Sequence, residues 1–400
     1  MNHGFDSWTG IPWSHDFCPC PHNLTHTDDP QLCRPQEPGC PLYSNLEVFE
    51  QPAILDTLTV RYAKSAIKFM EEASNQNKPF FQYLPFQHSH HPQFASAEFR
   101  GKSKRGAYGD TMLEMDHAIG LVLEFIEKSD KNLKENTLIF FTSDNGPSLI
   151  RYRYGGSAGN RRCGKGTTWE GGQNVAGIVW GPGVGVVPNS INKYIANSLD
   201  IFPTIASYAN IELPKNVIID GKDLTETLQD PRTDTKQVMF YYGLESTGTQ
   251  INAVRYDKFK LHFATSGWGG SSNDLCGDST PKQHAPPLLF DLKNDIFEAN
   301  PIDPTSTLYN TVRKQLEELV LKHNCSNTTY SCAAPNQLVA QDQNAQPFPP
   351  VPFHPWIPHY EPPNNTLIIN NNILINYDIE DHHHAMFTDC YVSGDETCKI

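Results

Sequence analysis

The sequence predicts an α/β protein, with a mixed, largely parallel sheet flanked by helices followed by a smaller C-terminal antiparallel-sheet domain. Three observations carry that reading. Residues 137–142, Thr-Leu-Ile-Phe-Phe-Thr, form a continuous apolar, β-branched and aromatic run, the composition of a strand buried on both faces of a parallel sheet. A second run, Phe-Phe-Gln-Tyr-Leu-Pro-Phe at 80–86, is separated from it by a helical stripe, and strand, helix, strand of these lengths makes a right-handed βαβ crossover. From residue 238 the chain changes to short apolar stretches joined by tight turns, the mark of an antiparallel meander.

Taken in order, 57–73 carries apolar residues at helical spacing, with Leu58, Tyr62, Ile67 and Met70 in or near one stripe. The strand at 80–86 runs directly into Gln87-His-Ser-His-His91. Thr111-x-x-Glu114 has the spacing of a capping box, and Met112, Met115, Ile119, Leu123 and Ile126 continue a helix to about Lys128. Asn145-Gly146-Pro147 stops the strand at 137–142. A strand at 174–180 and a helix at 198–209 follow. Strands are expected at 238–242, 251–255 and 258–263, the last two joined at Tyr256-Asp257, then at 288–292, with an amphipathic helix at 307–323. After Cys332 the chain is rich in Pro, Asn and Gln, and 347–356 reads as extended polyproline. The expected domains are 1–236, 237–332 and an irregular tail, 333–400.

Four hundred residues suffice for a large core. Forty-five acidic against 31 basic residues give a net charge of −14, which argues against nucleic acid or an anionic membrane as partner. No apolar run approaches the roughly 18 residues needed to span a bilayer. Cys18, Cys20, Cys33 and Cys40 cluster early, Cys163 and Cys276 stand apart, and Cys325, Cys332, Cys390 and Cys398 sit late. The early cluster lacks the paired C-x2-C knuckles of a zinc ribbon, which favours disulfides. Glycosylation sequons at Asn23, Asn324, Asn327 and Asn364 agree with a secretory route. The start Met1-Asn-His-Gly-Phe-Asp-Ser-Trp has neither a basic n-region nor an apolar h-region, so Met1 is expected not to be the natural beginning.

Asp144 and Asn145 lie at the carboxyl end of the 137–142 strand, where open α/β sheets place their ligands. Two hard oxygen donors there suit Ca²⁺ or Mg²⁺, although an Asx turn that closes a strand has the same sequence. His88, His90 and His91 follow a strand in the same way, and histidine at a sheet edge can shuttle a proton or donate to an anion. Gly159-x4-Gly164-Lys165 has phosphate-loop spacing, but Gly166 stands where that loop needs Ser or Thr. What survives is a lysine on a glycine-rich turn, with Arg161 and Arg162 nearby, able to meet a tetrahedral oxyanion. His382-His383-His384 in a polar tail reads as solvated. A divalent cation, a histidine and a lysine at one sheet edge make a site for a sulfate or phosphate ester, with cation and lysine neutralising the non-bridging oxygens and the histidine assisting the leaving group.

These segments resemble the sulfatase family, in particular arylsulfatase A and galactosamine-6-sulfatase. The resemblance rests on GFDSWTGIPWSHD, HSHHPQF, GAYGDTMLEMDHAIG, FFTSDNGP and RCGKGTTWEGG, and covers about residues 3–325. It implies an alkaline-phosphatase-like α/β core and Ca²⁺-dependent hydrolysis of sulfate esters. It also implies that Asp144 and Asn145 bind Ca²⁺ rather than Mg²⁺, that Lys165 and His90 contact the sulfate, and that Ser14 lies beside them. Cys163 with Cys276, and Cys20 with Cys40, resemble family disulfides. The substrate would be a sulfated small molecule, glycolipid or glycosaminoglycan, and the destination lysosomal or extracellular. One departure stands out. Sulfatases carry C-x-P-S-R or C-x-A-x-R, whose cysteine becomes the formylglycine nucleophile, and no cysteine here has an arginine four residues on. The family's first strand, ending in two metal-binding aspartates, is absent as well, because Asp28-Asp29 has no strand before it. The chain therefore reads as a sulfatase that starts about a third of the way in, or as a non-catalytic relative that binds sulfated glycans or a partner.

Overall fold

The computed structural model describes residues 4–12, 14, 15, 40–193, 195–217, 219–233, 236–242, 251–265, 276 and 282–323. The sequons, the 333–400 tail, Cys20 and Asp28-Asp29 lie outside these residues. The chain divides into two compact units, with the break at Lys131–Asn132.

In the first unit, β1 (Thr9–Gly10), β2 (Leu42–Ser44) and β3 (Glu47–Glu50) form a small antiparallel sheet in sequence order. Helices α1 (Leu58–Asn75) and α2 (Gly106–Lys128) follow and pack together. The buried face of α1, Leu58, Tyr62, Ala63, Ala66 and Met70, has the three- and four-residue spacing read from the sequence. Leu55, Leu58, Tyr62 and Phe94 make the core with Cys40 and Leu42, and Leu84 and Phe86 pack against it.

Two expectations change here. Residues 80–86 are extended but belong to no ladder among the described residues. Their burial alternates, with Phe81 54% and Tyr83 71% exposed while Leu84 and Phe86 pack inward, so the run is half-buried rather than covered on both faces. The helix α2 also begins at Gly106, five residues before the expected capping box. Thr111 and Glu114 therefore sit inside it, fully buried, and Glu114 has a partner other than its own helix N-terminus.

The second unit opens with the short α3 (Leu133–Asn136) and β4 (Ile139–Thr142). Two further short helices, α4 (Glu170–Gln173) and α6 (Thr225–Gln229), flank β5 (Gly177–Trp180) and α5 (Ile201–Tyr208). The predicted parallel pairing is not made among the described residues: β4 pairs antiparallel with β5, Ile139 opposite Trp180 and Thr142 opposite Gly177. The 143–176 excursion returns the chain beside β4, and that next apolar run satisfies its ladder. Strands β6 (Val238–Tyr242), β7 (Ile251–Tyr256), β8 (Phe259–Thr265) and β9 (Lys282–Asp291) form an antiparallel sheet in sequence order, followed by α7 (Thr307–His323). This is the meander the sequence predicts, with Asp257 in the left-handed region at the β7–β8 turn. Val254, Leu261 and Leu289 bury against Tyr309, Val312 and Leu316 of α7. β9 begins six residues earlier than expected. Pro286 and Pro287 fall where the register slips between His262 and Ala264, and an edge-strand irregularity accommodates residues that cannot donate to a ladder.

Candidate functional site

Ser14 and His90 fall in the first unit, and Asp144, Asn145 and Lys165 in the second. In the first, the loop after residue 86 is held from below by Glu114. Its Oε2 lies 2.8 Å from His88 Nε2, with both side chains fully buried, and its Oε1 accepts the Ser96 N–H at 3.1 Å. One carboxylate thus clamps both ends of the segment that carries His90. The His90 ring stacks on His91 at 4.3 Å and meets His15 edge-on at 5.6 Å. His15, adjacent to the exposed Ser14, lies 3.1 Å through Nε2 from the Pro92 carbonyl, so the Gly-Ile-Pro-x-Ser-His and His-x-His segments meet. His90 Nδ1 donates to the His91 carbonyl at 2.7 Å, and its Nε2 makes no hydrogen bond among the described residues.

In the second unit, β4 delivers Asp144 and Asn145 to a turn. Asp144 is exposed and makes no hydrogen bond or ion pair among the described residues. Asn145 Nδ2 donates to the Gly146 carbonyl at 2.9 Å, so Oδ1 remains an acceptor. These are two hard donors of the six to eight or so that Ca²⁺ takes. Their chemistry fits the ion, and no cluster of three or more His, Cys, Asp or Glu completes a site among the described residues.

The Lys165 loop is fastened to this turn. Lys165 N–H donates to the Pro147 carbonyl at 2.8 Å, Gly146 N–H to Gly172 at 3.0 Å, and Gly171 N–H to Arg162 at 2.8 Å. Cys163, bonded to Cys276, fixes the turn before the lysine. Cys40 is disulfide-bonded too.

Behind Lys165 lies a group of buried charges that the sequence reading did not single out. Glu170 binds Arg255 Nη1 at 2.8 Å and Lys260 Nζ at 2.9 Å. Glu298 accepts the Glu170 N–H at 2.7 Å and lies 2.7 Å from His262 Nε2 and 3.4 Å from Lys260. Trp169 packs between the Arg162 guanidinium, 3.9 Å above its ring, and His262, 4.5 Å away. Burial alone would raise the Glu170 carboxyl, but the Lys260 ammonium and the Arg255 guanidinium overcome it and hold the group at about 2. His262 is driven down to about 4, chiefly by burial, with Lys260 adding to it against the Glu298 hydrogen bond. Charge balance reinforces the effect of burial. Two cations and two carboxylates already neutralise one another, so a charged His262 would leave a buried surplus. The neutral ring donates Nε2–H to Glu298 and accepts at Nδ1 from Thr168 Oγ1, 3.4 Å away.

A pH dependence follows. Because His262 titrates lower in the fold than its ordinary 6.5, the unfolded chain binds more protons between those values, and stability falls as pH drops from about 6.5 toward 4. The loss is on the order of 3 kcal/mol. Glu170 adds a second window, from its ordinary 4.5 down to about 2. Urea unfolding at pH 7 and pH 5 should show the first loss, and His262→Gln should flatten it. A stability independent of pH over that range would contradict the neutral buried histidine.

A groove of about 470 Å³ between α1 and α2 is lined by none of the candidate site residues.

Residues 1–211 match the sulfatase family model, and 234–350 match the model for the C-terminal region of aryl-sulfatase. The chain belongs to the sulfatase family. It is 39% identical to Bos taurus arylsulfatase A over 303 residues, covering 74% of this chain and 59% of that protein. It is 32% identical to the N-acetylgalactosamine-6-sulfatase of Canis lupus familiaris over 348 residues, covering 81% and 62%. A solved sulfatase from Pseudoalteromonas sp. superposes with a TM-score of 0.62 at 26% identity, over 69% of this chain and 55% of its own. The sulfatase chain therefore spans under two thirds of these relatives. Its fold is the alkaline-phosphatase-like α/β fold with a C-terminal antiparallel sheet. Among its described residues no helix is long and apolar enough to cross a membrane.

Proposed function

We propose that the intact protein hydrolyses sulfate esters in the manner of an arylsulfatase, with Ca²⁺ as cofactor. Asp144 and Asn145 would supply two of its oxygen ligands, and the ion would neutralise charge on the sulfate oxygens. Lys165 Nζ donates to a sulfate oxygen, and Ser14 lies beside the histidine pair. His90 Nδ1 is committed to the His91 carbonyl, so Nε2 is the ring nitrogen left for a sulfate oxygen. The observation that carries the reading is the fastening of the Asp144-Asn145 turn to the Lys165 loop by backbone hydrogen bonds, which holds two hard oxygen donors and a lysine on adjoining segments. A sulfated small molecule, glycolipid or glycosaminoglycan as substrate, glycosylation at Asn23, Asn324, Asn327 and Asn364, and a lysosomal or extracellular location complete the proposal.

Calorimetric titration of sulfate in the presence of Ca²⁺ tests it. Lys165→Met should weaken binding about tenfold, the size of one charge-assisted hydrogen bond, and Asp144→Asn should remove the Ca²⁺ dependence. Sulfate affinity unchanged in both variants would overturn the assignment. A second reading, binding without hydrolysis, is favoured by the lack of any cysteine with an arginine four residues on in these 400 residues. Sulfate binding with no turnover of an aryl sulfate by this chain would support it.

A further inference from the structure

In a chain of net charge −14, residues 145–169 contain no aspartate or glutamate, yet they carry Arg151, Arg153, Arg161, Arg162 and Lys165. The segment 148–164 is a closed loop. Its ends are tied by the Lys165 N–H to Pro147 bond at 2.8 Å, and its first half is folded back by Ser148 N–H to the Gly155 carbonyl at 2.9 Å. Two of the arginines have structural work. Arg162 lies over Trp169 and donates to the Glu298 carbonyl at 3.0 Å, and Arg153 reaches the Tyr154 hydroxyl at 2.8 Å.

Arg151 and Arg161 differ. The Nε–H of each is buried without a hydrogen-bond partner among the described residues, and neither joins a described ion pair. A guanidinium N–H withdrawn from water without an acceptor is unfavourable. Two such groups on one carboxylate-free loop leave positive charge beside Lys165 that no described acidic side chain pairs.

We propose that the 148–164 loop is a second anion subsite adjoining Lys165, with Arg151 and Arg161 binding a further sulfate or carboxylate on the same sugar. The inference rests on the sulfate-ester reading of Lys165 and deepens it: the substrate is a multiply anionic saccharide rather than a singly sulfated aryl ester or lipid.

The test is calorimetric titration of the 400-residue chain with D-glucosamine 2-N,6-O-disulfate and with D-glucosamine 6-O-sulfate. The disulfate should bind about tenfold more tightly, as one added charge-assisted contact provides, and the advantage should shrink as salt rises. Arg151→Gln with Arg161→Gln should abolish the preference, weaken the disulfate far more than the monosulfate, and leave the melting temperature unchanged. Replacing both by lysine should retain part of it, because charge remains while the fork is lost. Equal affinity of the two sugars for the unmodified chain, or equal weakening of both by the glutamine pair, would overturn the subsite. Lys165→Met separates the two proposals. If it leaves monosulfate binding intact while the arginine pair still governs the preference, the sulfate-ester reading of Lys165 fails and the subsite stands.

Discussion

Lys260→Met is expected to destabilise the second unit by about 3–5 kcal/mol, read as a fall in the urea midpoint, because it removes one partner from a buried ion-pair network. Lys260 is fully buried. Its ammonium bridges Glu170 at 2.9 Å and Glu298 at 3.4 Å and lies 4.6 Å above the Tyr241 ring. Without it, Arg255 alone faces two buried carboxylates. The surplus negative charge has one outlet nearby, which is protonation of His262 through its 2.7 Å contact with Glu298. The variant should therefore lose less stability at pH 5 than at pH 7, the reverse of the unmodified protein. Adding Glu298→Gln restores the charge balance and should recover part of the loss, although it weakens the acceptor that holds the Glu170 N–H. A Lys260→Met protein within about 0.5 kcal/mol of the original, the usual range of a surface change, would show that the network does not hold the domain. Function is linked to the same change, since Glu170 follows Lys165 by five residues and is the point at which the loop is anchored to the sheet.

Local signals in the sequence were strong where the chain obeys one period. The meander from 238 to 292 and the helix at 307–323 were legible because short β-branched runs and a helical stripe each answer to nearest neighbours. The Asp144-Asn145 turn and the Lys165 loop were legible because Gly, Pro and Asn punctuate sharply. Three features were not. The pairing of β4 depends on which apolar run returns beside it, and a run of Phe and Ile specifies a strand but neither its direction nor full burial: Ile139, Phe140 and Phe141 are only half-buried and Thr142 is exposed. Glu114 reads as a capping-box acid by its spacing from Thr111, while its actual role depends on His88, 26 residues away. The Glu170, Lys260, His262 and Glu298 cluster joins residues up to 128 apart. Its one sequence trace is a lysine and a histidine on the inward side of a strand whose neighbouring residues are Phe, Leu and Ala, where Leu261 lies between them on the other face. Alternation alone would have assigned those two polar residues to solvent, and the buried acids opposite them are what reverse that assignment.

Gly146→Ala is expected to separate the Asp144-Asn145 turn from the Lys165 loop. A Cβ at this position would lie 1.8 Å from the Gly171 carbonyl oxygen, 2.9 Å from its carbon and 3.1 Å from Gly172 Cα. All three obstacles are backbone, so no rotamer change relieves them, and the two segments must part. Parting them breaks the 3.0 Å bond from Gly146 N–H to Gly172. Gly171 cannot yield inward, because it is itself packed so closely that a Cβ there would stand 2.2 Å from the Cys163 carbonyl. Overpacking of this kind costs about 1–3 kcal/mol, and more where the neighbours are rigid. Gly177→Ala in β5 is the matched control. Nothing lies within 4 Å of its added methyl, and its unfolding midpoint should move little. The site should suffer more than the fold in Gly146→Ala, since β4 and β5 can remain paired while the turn that ends β4 shifts away from Lys165. Sulfate affinity in the presence of Ca²⁺ should then drop at least as far as in Lys165→Met, although the side chains of Asp144, Asn145 and Lys165 are all intact. If Gly146→Ala instead keeps the original sulfate affinity and midpoint, the two loops do not touch in solution, and the coupling of cation to oxyanion on which the hydrolase reading depends goes with them.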